Sequence, residues 1–441
     1  MKENLDNLFR EHIKKTETRM KDFLAKNKQK GILIDAGVPY QYFRDDHTAP
    51  FCSNPYFLYF CPLKGEKHLI SLSPEGSLEL YVFEPKSFWS DISYEVSGSF
   101  WSENFQVHYL FSEAAREEVL KSKSSYVFIG REFQGVDKLD FLVNPKEFLA
   151  AMDWWRAEKS PYEIHCLSEA NRKASRAHLK VRDSFYSTNP SELVLYEEFL
   201  SSLKETGDLL PYNAIIAHNE KAAILHYQYK RSDSSGDVLL IDAGASYLHY
   251  ASDITRTYFR EKNCHPSFVS IYKGMESLQR ELCGMVKEGS SFVDLQLFMH
   301  RGIAEILMTE KILLTSTPEE AFTEKLTSVF CPHGLGHMLG LQVHDVGGDQ
   351  KDISGTPCDK DARLPKARMN RSLRNSEVVT IEPGLYFIPF LLQEMKESKQ
   401  KSLFNWALLE ELTPFGGIRI EDDMLVRAGS EPLNLTRAHL S

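Results

Sequence analysis

The sequence lacks the features of three broad classes of protein. No apolar run reaches the roughly 18–20 residues that a membrane-spanning helix requires, and the first residues contain no apolar core typical of a secretory signal. Lysine and arginine (52) are outnumbered by aspartate and glutamate (62), so the formal net charge of −10 disfavours nucleic-acid binding by charge alone. We therefore expect neither a membrane nor a nucleic acid as partner.

Cysteine is scarce and irregularly spaced. The seven cysteines include no Cys-x-x-Cys pair, and an odd number cannot all pair within one chain. This pattern is typical of reduced thiols and predicts a cytoplasmic protein without disulfides or a zinc knot. Apolar residues make up 42% of the chain and charged residues 26%, which indicates a globular protein.

At 441 residues the chain is longer than one ordinary domain, and its pattern changes near residue 157. Before that point, an amphipathic helix over 5–24 precedes short β-like runs, at 31–35, 68–72, 78–83 and 126–129. Beyond it, N-cap and proline signals predict helix starts near 161, 191 and 318. Apolar strands are expected at 238–243, 378–382 and 417–421. We expect one domain over 1–157 and a second over 158–441.

Two aspartates interrupt apolar strand patterns, where an unpaired buried charge is costly. Asp242 ends a run of four apolar residues, and Asp253 follows 11 residues later. A hairpin turning near Tyr247 and Leu248 would place both on one face of a sheet, about 5 Å apart. Carboxylates that close need a shared proton or a cation between them. The alternative is two unrelated aspartates that cap loops at strand ends.

Histidine and glycine concentrate in the segment 332–348. His333, His337 and His344 lie within twelve residues of one another, in a segment that contains five glycines. Glycine permits unusual dihedral angles and lets the backbone approach a ligand closely. This pattern favours a binding site over ordinary packing of core histidines.

Two further acids occur in apolar surroundings, Glu382 before a Pro-Gly pair and Glu421 after an alternating run. Each could instead be a strand end in a salt bridge, with Arg419 as an obvious partner. Taken together, four carboxylates and one histidine form an oxygen-rich ligand set for two divalent ions such as Mn²⁺. Two such ions about 3.5–4 Å apart can activate a shared water and polarise a carbonyl.

Four segments resemble, in order and spacing, the metal-dependent pita-bread peptidases. The resemblance is specifically to the bacterial Xaa-Pro dipeptidases (prolidases), a subgroup that includes organophosphorus acid anhydrolases. The segments are IDAGASYLHYASDITRTY, PHGLGHMLGLQVHDVGG, TIEPGLYF and PFGGIRIEDD. The resemblance extends through GILIDAGVPYQYFRDDHTAPF and LPYNAIIAHNEKAAILHY and so covers nearly the whole chain. It implies an α/β (α+β) fold with a small N-terminal creatinase/prolidase-type domain and a C-terminal pita-bread domain on a curved antiparallel sheet.

The resemblance also implies a dinuclear metal centre. The cofactors would be two divalent ions per subunit, Mn²⁺ in the first place, with Co²⁺ or Zn²⁺ as alternatives. By position, the family's five metal ligands fall on Asp242, Asp253, His337, Glu382 and Glu421. All five residue types are intact, whereas pita-bread domains that act as binding scaffolds lack the full set.

The catalytic roles of the family fall on four positions of this chain. Glu382 matches the general acid/base, and Arg419 matches an arginine that steadies the metal-site carboxylates. His344 and His226 match residues that hold the substrate and stabilise the tetrahedral intermediate.

Substrate-binding residues follow from the same resemblance. Arg368 matches the arginine that binds the terminal carboxylate of the dipeptide, with Arg371 as a nearby alternative, and Tyr212 lines the pocket. We also place His333 among the substrate-binding residues. Asp45 matches an acid of the N-terminal domain that reaches the partner's active site in related dimers, so a homodimer is expected.

Three stretches depart from the resemblance, and one of them is Ala367-Arg368, where relatives carry Leu-Arg. His249 stands where relatives usually carry glycine before Tyr250. The insertion Gln393–Asn405 is polar and rich in lysine, and we expect it to be a solvated loop.

The implied reaction is hydrolysis of the amide bond in Xaa-Pro dipeptides, with organophosphorus hydrolysis as a side activity. One alternative is an aminopeptidase P, which removes the first residue from longer peptides that begin with Xaa-Pro. A remoter alternative is a catalytically silent pita-bread scaffold that binds a protein partner. The intact ligand set argues against the scaffold but does not separate the two peptidases.

Overall fold

The protein divides into two compact units. The computed structural model describes residues 2–88, 93–94, 96–132 and 139–440. One unit comprises Met1–Arg156 with Ser160–Tyr162, and the other comprises Ala157–Lys159 with Glu163–Ser441. Among the described residues, no helix combines the length and the hydrophobicity needed to cross a bilayer. All seven cysteines are free thiols.

The N-terminal unit is built on a six-stranded mixed sheet with the strand order β4-β3-β2-β1-β5-β6. Strand β2 pairs antiparallel with β1 and β3, whereas β4, β5 and β6 join in parallel. The strands are β1 (Ile32–Asp35), β2 (Leu69–Leu72), β3 (Glu79–Phe83), β4 (Gln106–Leu110), β5 (Val127–Ile129) and β6 (Leu142–Val143). The helices are α1 (Lys2–Lys26), α2 (Pro55–Phe60), α3 (Glu113–Ser122) and α4 (Lys146–Ala157).

The C-terminal unit combines antiparallel strands with eight described helices. Its sheets have the orders β11-β8-β7, β12-β15-β16, β10-β9 and β13-β14. The strands are β7 (Ile215–His218), β8 (Val238–Asp242), β9 (Ser246–Tyr247), β10 (Tyr250–Ala251), β11 (Thr255–Phe259), β12 (Val378–Ile381), β13 (Gly384–Tyr386), β14 (Gly417–Arg419), β15 (Asp422–Leu425) and β16 (Leu433–Asn434). The helices are α5 (Pro161–Thr188), α6 (Glu192–Leu203), α7 (Pro266–Gly284), α8 (Phe292–Thr309), α9 (Pro318–Thr323), α10 (Thr327–Phe330), α11 (Pro389–Glu397) and α12 (Trp406–Leu412).

Helices pack against two of these sheets, a different pair of helices on each. Leu239 and Ile241 of β8 belong to a buried cluster with residues of α5 and α6. Val379 of β12 and Met424 of β15 belong to a second cluster, with residues of α7 and α8. Strands buried on both faces read as continuous apolar runs, which is why β8 and β12 were predictable from the sequence.

The three predicted helix starts are confirmed by the bounds of α5, α6 and α9, and two of them by capping contacts. The Ser191 hydroxyl accepts a hydrogen bond from the backbone N–H of Val194 at the start of α6 (3.4 Å). The Thr317 hydroxyl accepts one from Glu320 N–H (3.1 Å) at the start of α9, where Pro318 occupies the first turn. Such caps satisfy backbone donors that lack a partner within the helix.

The expectation of a solvated loop over 393–405 is wrong. Helix α11 extends through Glu397, and Phe404 is only 3% exposed. The Phe404 ring packs against the rings of Phe330 and Trp406, with centroids 6.2 and 5.1 Å away. One large apolar side chain therefore anchors an otherwise polar insertion, because burying this ring stabilises the fold.

The hairpin that carries the two aspartates has a different register from the predicted one. Asp242 of β8 pairs with Thr255 of β11, not with Asp253. The turn lies at Leu248 and His249, which both adopt positive φ angles, 47° and 72°. A shift of two residues leaves Asp253 on the same face, since side chains alternate with a period of two. The left-handed φ also explains why glycine suits the position of His249.

We predict that Gly244→Ala severely destabilises this hairpin. A Cβ atom at Gly244 would lie 1.9 Å from the backbone oxygen of Ser252 and 2.8 Å from the Tyr212 ring, so the two arms would have to separate. We expect a loss of about 2 kcal/mol or more in unfolding free energy, measured by urea denaturation. Gly284→Ala is the matched control, because a Cβ there meets open space at the end of α7. Equal stability of the two variants would contradict the close approach.

Candidate metal centre

The structure brings the five predicted metal ligands together at the ends of strands in the C-terminal unit. Asp242 ends β8, Asp253 precedes β11, Glu382 follows β12 and Glu421 precedes β15. His337 lies in the glycine-rich segment, next to Met338, which forms an isolated β-bridge with Val379 of β12. Backbone at a strand end is no longer constrained by a ladder, so a side chain there can turn toward a common centre.

The distances within this cluster suit shared coordination. Asp253, His337 and Glu421 offer ligand atoms that all lie within 4.8 Å of one another. The His337 Nε2 atom lies 3.5 Å from both Asp253 Oδ2 and Glu382 Oε1. The other ring nitrogen, Nδ1, donates to the carbonyl of Met338 at 3.0 Å. This bond commits Nδ1 as a donor, so Nε2 is the nitrogen that can bind a metal once its proton is displaced.

Arg419 orients Asp242. Its guanidinium donates to Asp242 Oδ2 at 2.5 Å and, through Nε, to the Thr255 hydroxyl at 3.2 Å. The Thr255 hydroxyl in turn donates to Glu421 Oε2 at 2.6 Å. Asp242 Oδ1 is buried and has no hydrogen-bond partner among the described residues. Since a buried unpaired carboxylate oxygen is costly, this atom is a candidate ligand atom.

A hydrogen-bonded chain extends from Arg419 to His333. Arg419 donates to the Tyr386 hydroxyl at 2.8 Å, and that hydroxyl lies 2.9 Å from His333 Nε2. Because arginine can only donate, the Tyr386 hydroxyl accepts from it and gives its own hydrogen to Nε2. His333 Nδ1 therefore carries a hydrogen and donates it to the Gly334 carbonyl at 2.7 Å. Burial, reinforced by the charge of Arg419, lowers the pKa of His333 to about 4.

The ionisation of the carboxylates reflects mutual repulsion in a buried site. Burial, together with the charges of Asp253 and Asp242, outweighs the opposing charges of His337 and Arg419 and raises the pKa of Glu382 to about 7. The pKa of Glu421 lies well above its ordinary value for the same two reasons, burial and the neighbouring carboxylates. Although burial lowers the pKa of His337, the facing Asp253 and Glu382 raise it to about 9. Without cations, this cluster must hold extra protons.

These residues fit a pair of hard or borderline divalent ions. The donor set comprises four carboxylates and one imidazole whose Nε2 faces them, and one carboxylate oxygen has no other partner in the described part of the chain. Oxygen-rich sets of this kind suit ions such as Mn²⁺ better than thiophilic ions. The ligands would be Asp242, Asp253, His337, Glu382 and Glu421.

The other predicted residues of the C-terminal unit surround this cluster. The exposed His344 ring stands at 85° to the ring of His337, with centroids 4.4 Å apart. Loss of hydration on the side of the ring that meets the protein, and then the charges of His337 and Arg368, lower the pKa of His344 to about 4. His226 acts on the ionisation of both His333 and His344.

Tyr212, three residues before β7, lies near the same carboxylates. Burial, together with the charges of Asp242 and Asp253, raises the pKa of its hydroxyl well above the ordinary value. The ring packs against the backbone at Gly244.

The two candidate arginines of the substrate clamp differ in their partners. Arg371 is 8% exposed and binds the buried carboxylate of Glu377 through two nitrogens, at 2.6 and 3.0 Å. Arg368 is exposed, and within the described part of the chain it has neither a hydrogen bond nor an ion pair. Because the Arg371 guanidinium is already committed to Glu377, Arg368 is the better candidate of the two.

Asp45 is the one predicted site residue that belongs to the N-terminal unit. It lies in an exposed hairpin over 40–49, in which Gln41 and Thr48 form an isolated β-bridge. The Asp45 carboxylate accepts a hydrogen bond from the backbone N–H of His47 at 3.0 Å. Its proposed reach into a partner's site stays a prediction.

Sequence reasoning missed two residues that hold the centre together, Thr255 and Tyr386. The signal was present, because Thr255 lies two residues beyond Asp253 and Tyr386 two residues beyond Gly384. Alternation along a strand would have placed each of them on the face of its neighbour two residues away. The role of each hydroxyl, however, depends on a partner distant in sequence. This partner is Glu421 for Thr255 and Arg419 for Tyr386.

Comparisons with known proteins show which family this chain resembles. Residues 165–428 match the model of metallopeptidase family M24, and residues 7–154 match that of the Xaa-Pro dipeptidase N-terminal domain. Proteins named Xaa-Pro dipeptidase from Shewanella woodyi and Shewanella amazonensis are 36% and 38% identical over 440 residues, covering 99% of both chains.

Solved structures give the same fold. A zinc-substituted E. coli aminopeptidase P with product has a TM-score of 0.72 and 22% identity, over 97% of this chain and 95% of that one. The same enzyme with the inhibitor Pro-Leu has a TM-score of 0.71, again at 22% identity and the same coverage. Together with the family matches, this confirms the expected fold of a prolidase-type N-terminal domain followed by a pita-bread domain.

We predict that divalent metal stabilises the protein. The ions bind the folded cluster only, so adding Mn²⁺ to chelator-treated protein should raise Tm. The unfolding free energy should rise by about 2.7 kcal/mol at a hundredfold excess of Mn²⁺ over Kd. Because the cluster holds extra protons without metal, binding should also release protons into a weakly buffered solution. Asp253→Ala is the control, and it should lose both responses. An unchanged Tm of the wild-type protein at saturating Mn²⁺ would contradict a metal centre here.

Proposed function

The chain belongs to metallopeptidase family M24, and we propose that it hydrolyses the amide bond of Xaa-Pro dipeptides at the cluster described above. The convergence of one imidazole and four carboxylates at strand ends is the observation that carries this proposal. The full-length similarity to proteins named Xaa-Pro dipeptidase supports the choice of substrate.

Divalent ions held by Asp242, Asp253, His337, Glu382 and Glu421 would supply an activated water and polarise the scissile carbonyl. Glu382 moves the protons of the reaction. It accepts one from the attacking water on a carboxylate oxygen and delivers it to the proline nitrogen as the amide bond breaks. Its position supports this role, since Oε1 lies 3.5 Å from His337 Nε2 at the centre of the cluster.

His344 and His226 serve the developing oxyanion. Both residues are exposed rather than part of the core, and His344 stands beside the candidate ligand His337. A donor aimed at the position where negative charge develops contributes a few kcal/mol to the transition state. His333 plays a different part, because both of its ring nitrogens bond to the protein and any contact with substrate comes from its ring carbons.

Arg368 selects dipeptides over longer substrates by binding their terminal carboxylate. A dipeptide presents its carboxylate one residue beyond the cleaved bond, where a planar guanidinium can donate two parallel hydrogen bonds to it. Arg368 lies close enough to His344 to affect its ionisation and has no partner among the described residues that would hold it away. Tyr212 completes the wall of the pocket near the carboxylates.

Further details of the proposal concern metal, assembly and compartment. We infer Mn²⁺ as the resident ion from the oxygen-rich donors, and organophosphorus hydrolysis as a side activity of the same centre. We infer a homodimer in which Asp45 reaches the partner's site. Sedimentation of the native protein can measure whether it is a dimer. The seven free thiols fit the cytoplasm.

The decisive experiment compares substrates of different length. With Mn²⁺ added, we expect Ala-Pro to be cleaved with a far higher kcat/KM than Ala-Pro-Ala, because a tripeptide offers a neutral amide to Arg368 and an extra residue to the pocket wall. A preference for Ala-Pro-Ala would instead identify an aminopeptidase P, and no hydrolysis of either substrate by the metal-loaded protein would overturn the proposal.

We predict that Arg368→Ala raises the KM for Ala-Pro by about 10- to 100-fold, the range for losing a hydrogen bond to a charged group. The KM for Ala-Pro-amide, which has no carboxylate, should change little. Arg363→Ala is the control, since Arg363 is an exposed neighbour engaged with Asp361 at 2.6 Å. An equal change in KM for both substrates in Arg368→Ala would exclude the clamp.

A further inference from the structure

The backbone of Asp253 has a partner outside the strand ladders. Its neighbour Ile254 accepts a ladder-like bond from Ala243 N–H at 3.0 Å. The N–H of Asp253 instead donates to Oδ2 of Asp423 at 3.1 Å. A buried N–H without an acceptor costs about as much as a lost hydrogen bond. Asp423 therefore supplies the acceptor that the sheet does not provide at this position.

Two further residues hold the Asp423 carboxylate in place. Asn171 of α5 donates from Nδ2 to Asp423 Oδ2 at 2.7 Å. The Thr436 hydroxyl accepts the N–H of Asp423 at 2.9 Å and donates its own hydrogen to Asn171 Oδ1 at 2.7 Å. All three side chains are fully buried. These residues, which we call the Asp423 bracket, join α5, β15 and the C-terminal segment behind Asp253.

Alternation along the strand explains why the bracket faces the metal centre. Glu421 and Asp423 are two residues apart and share a face, whereas the side chain of Asp422 points the other way. On that other face Asp422 binds Arg256 at 2.6 Å and Arg437 at 2.7 Å. This stretch of chain thus presents two side chains to the same side. Glu421 is a candidate ligand, and Asp423 supports the candidate ligand Asp253.

We propose that the Asp423 bracket positions Asp253 for metal binding, so that the C-terminal segment at Thr436 belongs functionally to the metal centre. This inference rests on the proposed function. Asp423 contacts neither substrate nor metal in this scheme, and it acts through the backbone of Asp253. Partners that orient metal ligands from behind typically contribute 10- to 100-fold to metal affinity, in order of magnitude.

Thr436 offers the gentlest way to test the bracket. Thr436→Val keeps the shape of the side chain but removes the hydroxyl, leaving Asp423 N–H and Asn171 Oδ1 without their partner. We expect Thr436→Val to bind Mn²⁺ about 10-fold more weakly than the wild type, by calorimetric titration of chelator-treated protein at 25 °C. Thr436→Ser restores the hydroxyl and should bind Mn²⁺ as the wild type does.

A control separates positioning from a general loss of stability. Thr413→Val also removes a threonine hydroxyl bond, the one to the Leu409 carbonyl in α12 at 2.7 Å. It should lower Tm without changing the Kd for Mn²⁺. Should Thr436→Val not fold, Thr436→Ala takes its place in the same titration.

The outcomes distinguish the role of the Asp423 bracket from the proposed function. Equal Kd values for Mn²⁺ in the wild type and in Thr436→Val would overturn the inference while leaving the proposed function intact. Weakened binding in Thr436→Ser to the same extent would also overturn it, since the hydroxyl is then not what matters. Absence of Mn²⁺ binding by the wild-type protein would overturn the proposed function, and the inference with it.

Discussion

The convergence of four carboxylates, three of them buried and Glu382 partly exposed, is the constraint on which the rest of the C-terminal unit depends. Such groups repel one another and lose their hydration, so they are tolerable only with compensating charge and hydrogen bonds. Arg419 and His337 supply part of that compensation, and the Thr255 hydroxyl supplies a bond to Glu421. The remainder is what two divalent ions would provide, which ties the stability of the fold to its chemistry.

Close backbone contact is how the strands bring these groups together. A Cβ atom at Gly336 would lie 2.0 Å from the Thr380 carbonyl oxygen, and one at Gly244 would lie 1.9 Å from that of Ser252. Each glycine lies within two residues of a candidate ligand, His337 or Asp242. The glycines of the two motifs therefore serve the spacing of the ligands, because any larger residue would push apart the segments that carry them.

The hydrogen-bond partners around the site determine which atoms stay available for chemistry. His337 keeps Nε2 for the cluster because Nδ1 donates to a carbonyl, whereas His333 has both nitrogens occupied. The same distinction separates two nearby arginines, since Arg371 is held by Glu377 while Arg368 has no such partner among the described residues. Identical residue types thus acquire different functions from their neighbours.

The sequence alone determined the metal ligands as candidates and most of the elements that carry them. Apolar runs interrupted by acids are visible locally, since an acid in a buried strand needs a special reason. The hairpin register was not visible, because two positive φ angles at Leu248 and His249 moved the turn, and neither residue signals that conformation. The commitment of Arg371 to Glu377 and the support of Asp253 by Asp423, Asn171 and Thr436 were decided only by tertiary structure. The physical reason is that a side chain's partner is set by which distant segments the fold brings within hydrogen-bonding distance, and no local pattern records that.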